Sequence, residues 1–132
     1  MSSLFRAAFA YAALTFAAGF VLGTLRTFLI APLAGPVLAV AIELPLMLAL
    51  SWAACLFTLR RIPVDAAALP RLAMGAVALL ILLLLEALLS LTLGGLTLAQ
   101  HVALYATTPV LLGLAGQVIF ALFPLAQVRR QY

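Results

Sequence analysis

Four long apolar runs dominate the chain, and they constrain its fold more than any other feature. They cover about residues 7–30, 37–59, 72–93 and 98–126. An α-helix needs about 20 apolar residues to cross a bilayer, so each run is long enough for one crossing. With 68% hydrophobic and 8% charged residues, the chain lacks the polar surface of a soluble or disordered protein. We therefore predict an all-α, polytopic membrane protein, a single domain over residues 1–132 with four transmembrane helices in a compact bundle.

Short breaks separate the apolar runs. Prolines and a glycine mark a turn at residues 31–36, a polar loop covers 60–71, and two glycines follow the third run. The fourth run contains Thr108 followed by Pro109, which leaves two alternatives open. Either Thr108 caps a span that begins at Pro109, with residues 98–107 at the interface, or one long helix is kinked at Pro109.

The arginines predict the orientation of the chain in the membrane. With four spans, both termini and the middle loop share one side, and Arg26 alone lies toward the other side. The positive-inside rule then places both termini in the cytoplasm. The absence of Lys and Asn and the abundance of Ala and Leu suggest a bacterial source, and we therefore predict a protein of the bacterial inner membrane. We interpret the net charge of +4 as this orientation signal, and we expect no nucleic-acid partner. The arginines on the terminal side are Arg6, Arg60, Arg61, Arg71, Arg129 and Arg130.

A small set of polar side chains falls inside the apolar runs, where an ionisable group costs about 2.5–3.5 kcal/mol on insertion scales. If the first hairpin turns near Gly35, Arg26 and Glu43 lie at equal depth and are expected to form an ion pair. Glu86 and Gln117 fall at a similar level on the third and fourth spans. The sequence therefore predicts an intramembrane polar layer of Arg26, Glu43, Glu86 and Gln117.

Helical spacing predicts how the first hairpin packs. Gly19 and Gly23 form a GxxxG pattern on the face that carries Arg26, while Glu43 and Ser51 share one face of the second span. We expect the two glycines to act as helix-packing positions that let the arginine reach its partner. The favoured role of the ion pair is a structural clamp between the two helices.

The polar layer contains one carboxyl group more than it has cations. Such a buried, unmatched carboxyl is expected to be protonated or to bind a cation. Above the layer, we place His101, Thr107 and Thr108 at the outer interface. One histidine and one cysteine, Cys55, are too few for a metal site, and no catalytic set or phosphate-binding loop is present in the sequence. We therefore predict no enzyme activity, no catalytic residues, no metal and no cofactor.

The first half of the chain carries a resemblance to other proteins. The stretch from Gly19 to Arg26, the Glu43-Leu-Pro45 segment and the Ser51-Trp52 pair together resemble a group of small uncharacterised bacterial four-helix integral membrane proteins. The resemblance implies the four-helix membrane fold and no known activity.

Two functions remain open. The first is a non-enzymatic structural or accessory component of a membrane assembly, whose partners are the lipid bilayer and either other membrane subunits or further copies of itself. The alternative is a small proton- or cation-coupled transporter or channel that uses Glu43 or Glu86 with Arg26 as the counter-charge. The two hypotheses differ on whether water reaches Glu86, since a transporter needs a solvated route to it.

Overall fold

The computed structural model describes residues 2–128, and these form helices joined by short turns, with no strand among them. The prediction of an all-α membrane protein is confirmed, because four of the helical segments are long and apolar enough to cross a bilayer. Arg129 and Arg130, which contribute to the predicted orientation, lie outside the described residues. The elements are α1 (Ser3–Leu25), a π-helical turn (Arg26–Ile30), α2 (Ala31–Ala34), α3 (Pro36–Arg61), α4 (Ala68–Thr92), α5 (Leu98–Ala103), a 3-10 turn (Leu104–Ala106) and α6 (Thr108–Ala126).

The helices extend a few residues beyond the predicted apolar runs. The first span covers Ser3–Ala34, because Ser2 caps the helix by accepting a hydrogen bond from the backbone N–H of Phe5. The second and third spans are Pro36–Arg61 and Ala68–Thr92. Hydropathy locates the apolar centre of a span, whereas capping residues determine where the helix begins.

The fourth apolar run, residues 98–126, is broken, which is one of the two alternatives that the sequence leaves open. Thr107 has an extended backbone (φ −95°, ψ 147°), and its hydroxyl donates to the carbonyl of Leu104 at 2.6 Å. The membrane span is Thr108–Ala126, and helix α5 lies outside it. A reciprocal pair of hydrogen bonds between Thr97 and Gln100 begins α5 as a separate helix. Of the two alternatives at Pro109, the structure therefore has the break, with the cap at Thr107.

The four long helices form a bundle in which α1 and α6 each pack against both α3 and α4. The tightest contact joins α4 to α6: a Cβ atom at Gly75 would lie 1.8 Å from the carbonyl oxygen of Ala121. The glycines expected to pack the first hairpin are less constrained. A Cβ at Gly19 would lie 3.5 Å from the side chain of Met47, and one at Gly23 would lie 3.4 Å from the guanidinium of Arg26. The approach of α4 to α6 at Gly75 was not predicted from the sequence.

The bundle has two unlike halves, and its buried core belongs to one of them. We call the end with both termini the terminal half (residues 3–17, 52–81 and 118–128) and the end with the two outer turns the hairpin half (residues 18–51 and 82–117). The connected cluster of buried apolar residues lies in the terminal half except for Leu82, whereas Ala39 and Val40 are buried in the hairpin half outside this cluster. The core consists of Ala7, Ala8, Tyr11, Ala12, Cys55, Leu59, Val64, Met74, Ala78, Leu82 and Phe120.

Candidate binding cavity

The hairpin half contains a half-open cavity of about 690 Å³. Thr15, Ser51 and Phe120 line its deepest part, and His101 and Tyr105 lie at the opposite end, beside the outer turns. All four members of the predicted polar layer are on its wall. The layer is therefore the lining of a space between the helices, and its polar groups face that space as well as one another.

Arg26 and Glu43 form the ion pair that their depths predict. The Arg26 Nη1 atom lies 2.9 Å from the Glu43 Oε2 atom, which joins the π-helical turn after α1 to helix α3. The side chain of Arg26 is 32% exposed and that of Glu43 is 12% exposed, so the pair lies at the cavity wall and not in a packed core. Gly23 lies beside the guanidinium, since a Cβ there would be in van der Waals contact with it at 3.4 Å.

Glu86 has a neutral partner. The Gln117 side-chain amide donates a hydrogen bond to the Glu86 Oε1 atom and links α4 to α6. Among the described residues, the ion pair between Arg26 and Glu43 is the one salt bridge within 4 Å. The carboxyl group of Glu86 is therefore the unmatched one, and it lines the cavity.

His101 lies in α5 at the outer end of the cavity, outside the fourth span, and its side chain faces the cavity. Its side chain is buried, its Nδ1 atom lies 2.9 Å from the Ser90 hydroxyl, and its ring meets that of Tyr105 edge to face at 5.6 Å. The capping of α5 turns this short helix so that His101 points into the bundle. Thr107 and Thr108 are exposed at the outer turn, as expected for interfacial residues.

Tyr105 is a cavity residue that the predicted site does not include. Burial raises the pKa of its hydroxyl, and the negative charge of Glu86 raises that pKa further. The electrostatic influence of Glu86 therefore extends to the outer end of the cavity. The position of Tyr105, one helical turn after His101, is the sequence signal for this placement, because residues four apart share a helix face.

A stacked pair of aromatic rings seals the cavity toward the terminal half. Tyr11 and Phe120 lie with ring centroids 4.2 Å apart, and the Tyr11 hydroxyl donates to the Phe120 carbonyl at 2.7 Å. That carbonyl lacks its usual helical donor because the residue four positions later, Pro124, has no N–H. Pro124 thus leaves the Phe120 carbonyl free to accept the hydrogen bond from the Tyr11 hydroxyl.

Arg71 is the largest departure from the sequence-based interpretation. It was assigned to the polar loop as an orientation signal, yet its side chain is fully buried. Its Nη1 donates to the Pro124 carbonyl at 3.0 Å and its Nη2 to the Val64 carbonyl at 3.3 Å. Arg71 lies in the first turn of α4, where the helix dipole disfavours a positive charge. This unfavourable position is a sequence signal that its stabilising partners lie outside α4.

The described residues contain no cluster of three or more His, Cys, Asp or Glu side chains that could hold a metal ion. Cys55 is a buried free thiol in the terminal half. The chemistry that the cavity offers is therefore one unmatched carboxyl group, one ion pair and several aromatic faces. Comparison with protein-family models, with curated proteins and with solved structures finds no match to this chain.

Proposed function

We propose that this protein is a small proton- or cation-coupled membrane transporter in which Glu86 is the exchange site. The observation that carries the proposal is the position of Glu86: its carboxyl group lines a half-open cavity of about 690 Å³ and has a neutral amide as its partner. A structural clamp needs no such space beside its charged groups.

The charges of the cavity wall support this role. Arg26 neutralises Glu43 at 2.9 Å, which leaves Glu86 as the acidic group of the cavity wall without a salt bridge. A carboxylate in a low-dielectric site has a large free-energy cost unless it takes up a proton or a cation. Competition between proton and cation for one carboxylate is the elementary step of coupled transport.

The membrane and the orientation belong to the same proposal. Four helices are long and apolar enough to span a bilayer, and we place them in the bacterial inner membrane with both termini in the cytoplasm. Arg6, Arg60 and Arg61 are exposed at the terminal end and support this orientation, whereas buried Arg71 no longer contributes to it. In this orientation the cavity lies in the periplasmic half of the bundle.

A water-soluble carbodiimide tests the proposal, because it modifies a carboxyl group that water can reach. We expect modification of Glu86 in the intact purified protein, located by peptide mass spectrometry and lost in the variant Glu86→Gln, while the exposed Asp65 is modified in both proteins. The matched control, Glu43→Gln, keeps the modification, since Glu86 is unchanged in it. If only a hydrophobic carbodiimide modifies Glu86, water does not reach the site and the transporter proposal fails.

An accessory role in a membrane assembly is the second candidate. The observation that favours it is the outer face of α4, where Leu80, Leu84 and Leu88 are 58%, 61% and 57% exposed at helical spacing. Partner helices or lipid acyl chains both suit such a face. Native mass spectrometry after extraction in mild detergent tests this role, which requires a second subunit or a further copy bound in a fixed ratio.

A further inference from the structure

We propose that the ligand of the hairpin-half cavity is an organic cation with an apolar, ring-containing body, a substrate class that deepens the proposed function and rests on it. Its positive group lies against Glu86 and its apolar body occupies the remaining volume. Size, wall chemistry and charge each contribute to this assignment.

The size of the cavity fits a small organic molecule. A volume of about 690 Å³ lies within the roughly 300–1,000 Å³ that small-molecule sites occupy. A bare inorganic cation is far smaller and needs a shell of oxygen ligands. Next to Glu86, Gln117 presents its amide N–H, and the Ser90 hydroxyl is already engaged by His101. The wall around Glu86 is thus poor in free oxygen donors for an inorganic ion.

The chemistry of the wall fits a cation with an apolar body. The surface of the cavity away from the polar layer is built from aromatic and aliphatic side chains, and aromatic faces attract cations whose hydration is weak. Tyr105 contributes one such face within the electrostatic reach of Glu86. The principal apolar lining residues are Phe16, Phe20, Leu44, Met47, Leu82 and Phe120.

The charges on the cavity wall favour a positively charged ligand over a negatively charged one. Because Glu43 pairs with Arg26, that arginine is not available to an anion, and the remaining carboxyl group of Glu86 repels one. A cation entering the cavity replaces the proton on Glu86, so the carboxyl oxygen exchanges an O–H bond for an ion pair and the proton leaves to water.

A pair of size-matched probe ions tests the assignment. We expect tetraphenylphosphonium to bind the purified full chain at one saturable site, measured by equilibrium dialysis against protein-free micelles. Tetraphenylborate, with the same rings and the opposite charge, is expected to bind at least about tenfold more weakly, a difference of about 1.4 kcal/mol. Sodium and potassium chloride are expected not to compete with the cation.

Two variants locate the site. Glu86→Gln is expected to weaken binding of tetraphenylphosphonium at least about tenfold. Gly113→Leu fills the cavity from a position where an added Cβ meets no atom within 4 Å, so it should block the cation while the fold and the carbodiimide modification of Glu86 persist. Asp65→Asn, which removes a carboxyl group in the exposed loop outside the cavity, is the control and should bind normally.

Each outcome separates the substrate class from the proposed function. Equal binding of the two tetraphenyl ions, or equal binding by the wild type and by Glu86→Gln, overturns the organic-cation assignment. Protection of Glu86 by sodium or potassium, with no effect of tetraphenylphosphonium, overturns it too but leaves the transporter proposal standing. A carboxyl group that the water-soluble carbodiimide never reaches overturns both.

Discussion

The two halves of the bundle use polar side chains in different ways. In the terminal half, side chains donate to backbone carbonyls: Tyr11 to Phe120 at 2.7 Å, Arg71 to Pro124 at 3.0 Å. In the hairpin half, the side-chain bonds that join different helices run between two side chains, as from Arg26 to Glu43 and from Gln117 to Glu86. The terminal half is packed around these bonds, whereas in the hairpin half they line a cavity.

The difference separates anchoring from recognition. A bond to a helix carbonyl fixes one helix against another, because the acceptor cannot move without the backbone. A bond between two side chains can be exchanged for a bond to a ligand at the cost of two side-chain rotations. Substitutions in the terminal half are therefore expected to change stability, and substitutions in the hairpin half are expected to change binding.

The largest effect is expected at Gly75. The variant Gly75→Ala places a Cβ atom against the carbonyl oxygen of Ala121, and α4 and α6 must separate to admit it. We expect a loss of about 3 kcal/mol in the free energy of unfolding, as for severe overpacking. Thermal unfolding in detergent measures it. Gly113→Ala in the hairpin half, where the added methyl group meets open space, is the control and should unfold like the wild type.

Removal of the buried arginine is expected to have the next largest effect. Arg71→Ala leaves the Pro124 and Val64 carbonyls without their donors, at a cost of about 2 kcal/mol. The exposed Arg60→Ala is the control and should stay within about 0.5 kcal/mol of the wild type. Denaturant titration followed by circular dichroism compares the two. Equal stability of both variants would mean that the terminal half does not depend on its carbonyl bonds.

A smaller loss is expected from Tyr11→Phe, which keeps the aromatic stack but removes the hydroxyl donor. The Phe120 carbonyl then has no partner, because Pro124 cannot supply an N–H, and we expect a cost of about 1 kcal/mol. The combination Tyr11→Phe with Pro124→Ala restores a helical N–H for that carbonyl. Recovery of part of the lost stability in the double variant is the expected result, and no recovery contradicts the role assigned to Pro124.

The variant Glu43→Gln tests the hairpin half, where a substitution should change ligand binding more than stability. The amide still accepts a hydrogen bond from Arg26, and the pair retains solvent contact, so we expect a stability change of about 0.5 kcal/mol. Binding of tetraphenylphosphonium should weaken several-fold, because Arg26 now places an uncompensated positive charge on the cavity wall. A variant that loses stability and leaves cation binding unchanged would remove the basis of the comparison.

The smallest effect is a shift in the titration of Tyr105. The negative charge of Glu86 disfavours the tyrosinate, so its removal in Glu86→Gln should lower the Tyr105 pKa toward its ordinary value. Burial still raises the pKa, and the shift should therefore be partial. Ultraviolet absorbance of the tyrosinate, taken as the difference from Tyr105→Phe in each background, measures it. An upward shift contradicts the placement of Glu86.

The depth of a residue in the membrane could be predicted from the sequence more fully than the direction in which its side chain points from the helix. Apolar runs located the four spans, and equal distance from the first turn paired Arg26 with Glu43. Which residues a helix presents to its neighbours depends on rotation about its axis, which a nearly uniform apolar sequence does not specify. The closest helix contact, at Gly75, was missed for this reason.

The burial of the Arg71 and His101 side chains could not be predicted for a related reason. Both occur near the ends of apolar runs, where a polar residue ordinarily meets water or lipid headgroups. Their burial depends on acceptors from distant parts of the chain, the Pro124 carbonyl for Arg71 and the Ser90 hydroxyl for His101. A residue's position along its own helix carries no information about such partners.

The π-helical turn at Arg26–Ile30 is a place where the chain can gain or lose one residue with little disturbance of the preceding helix. A π turn accommodates more residues per turn than an α-helix, so it can absorb an added or a lost residue without rotating the whole helix that precedes it. Elsewhere in the long helices, a one-residue deletion turns every later side chain by about 100°. Length variation among close relatives of this chain is therefore expected to concentrate between Arg26 and Ile30, beside the cavity, where it would move the ion pair and reshape the space that a ligand enters.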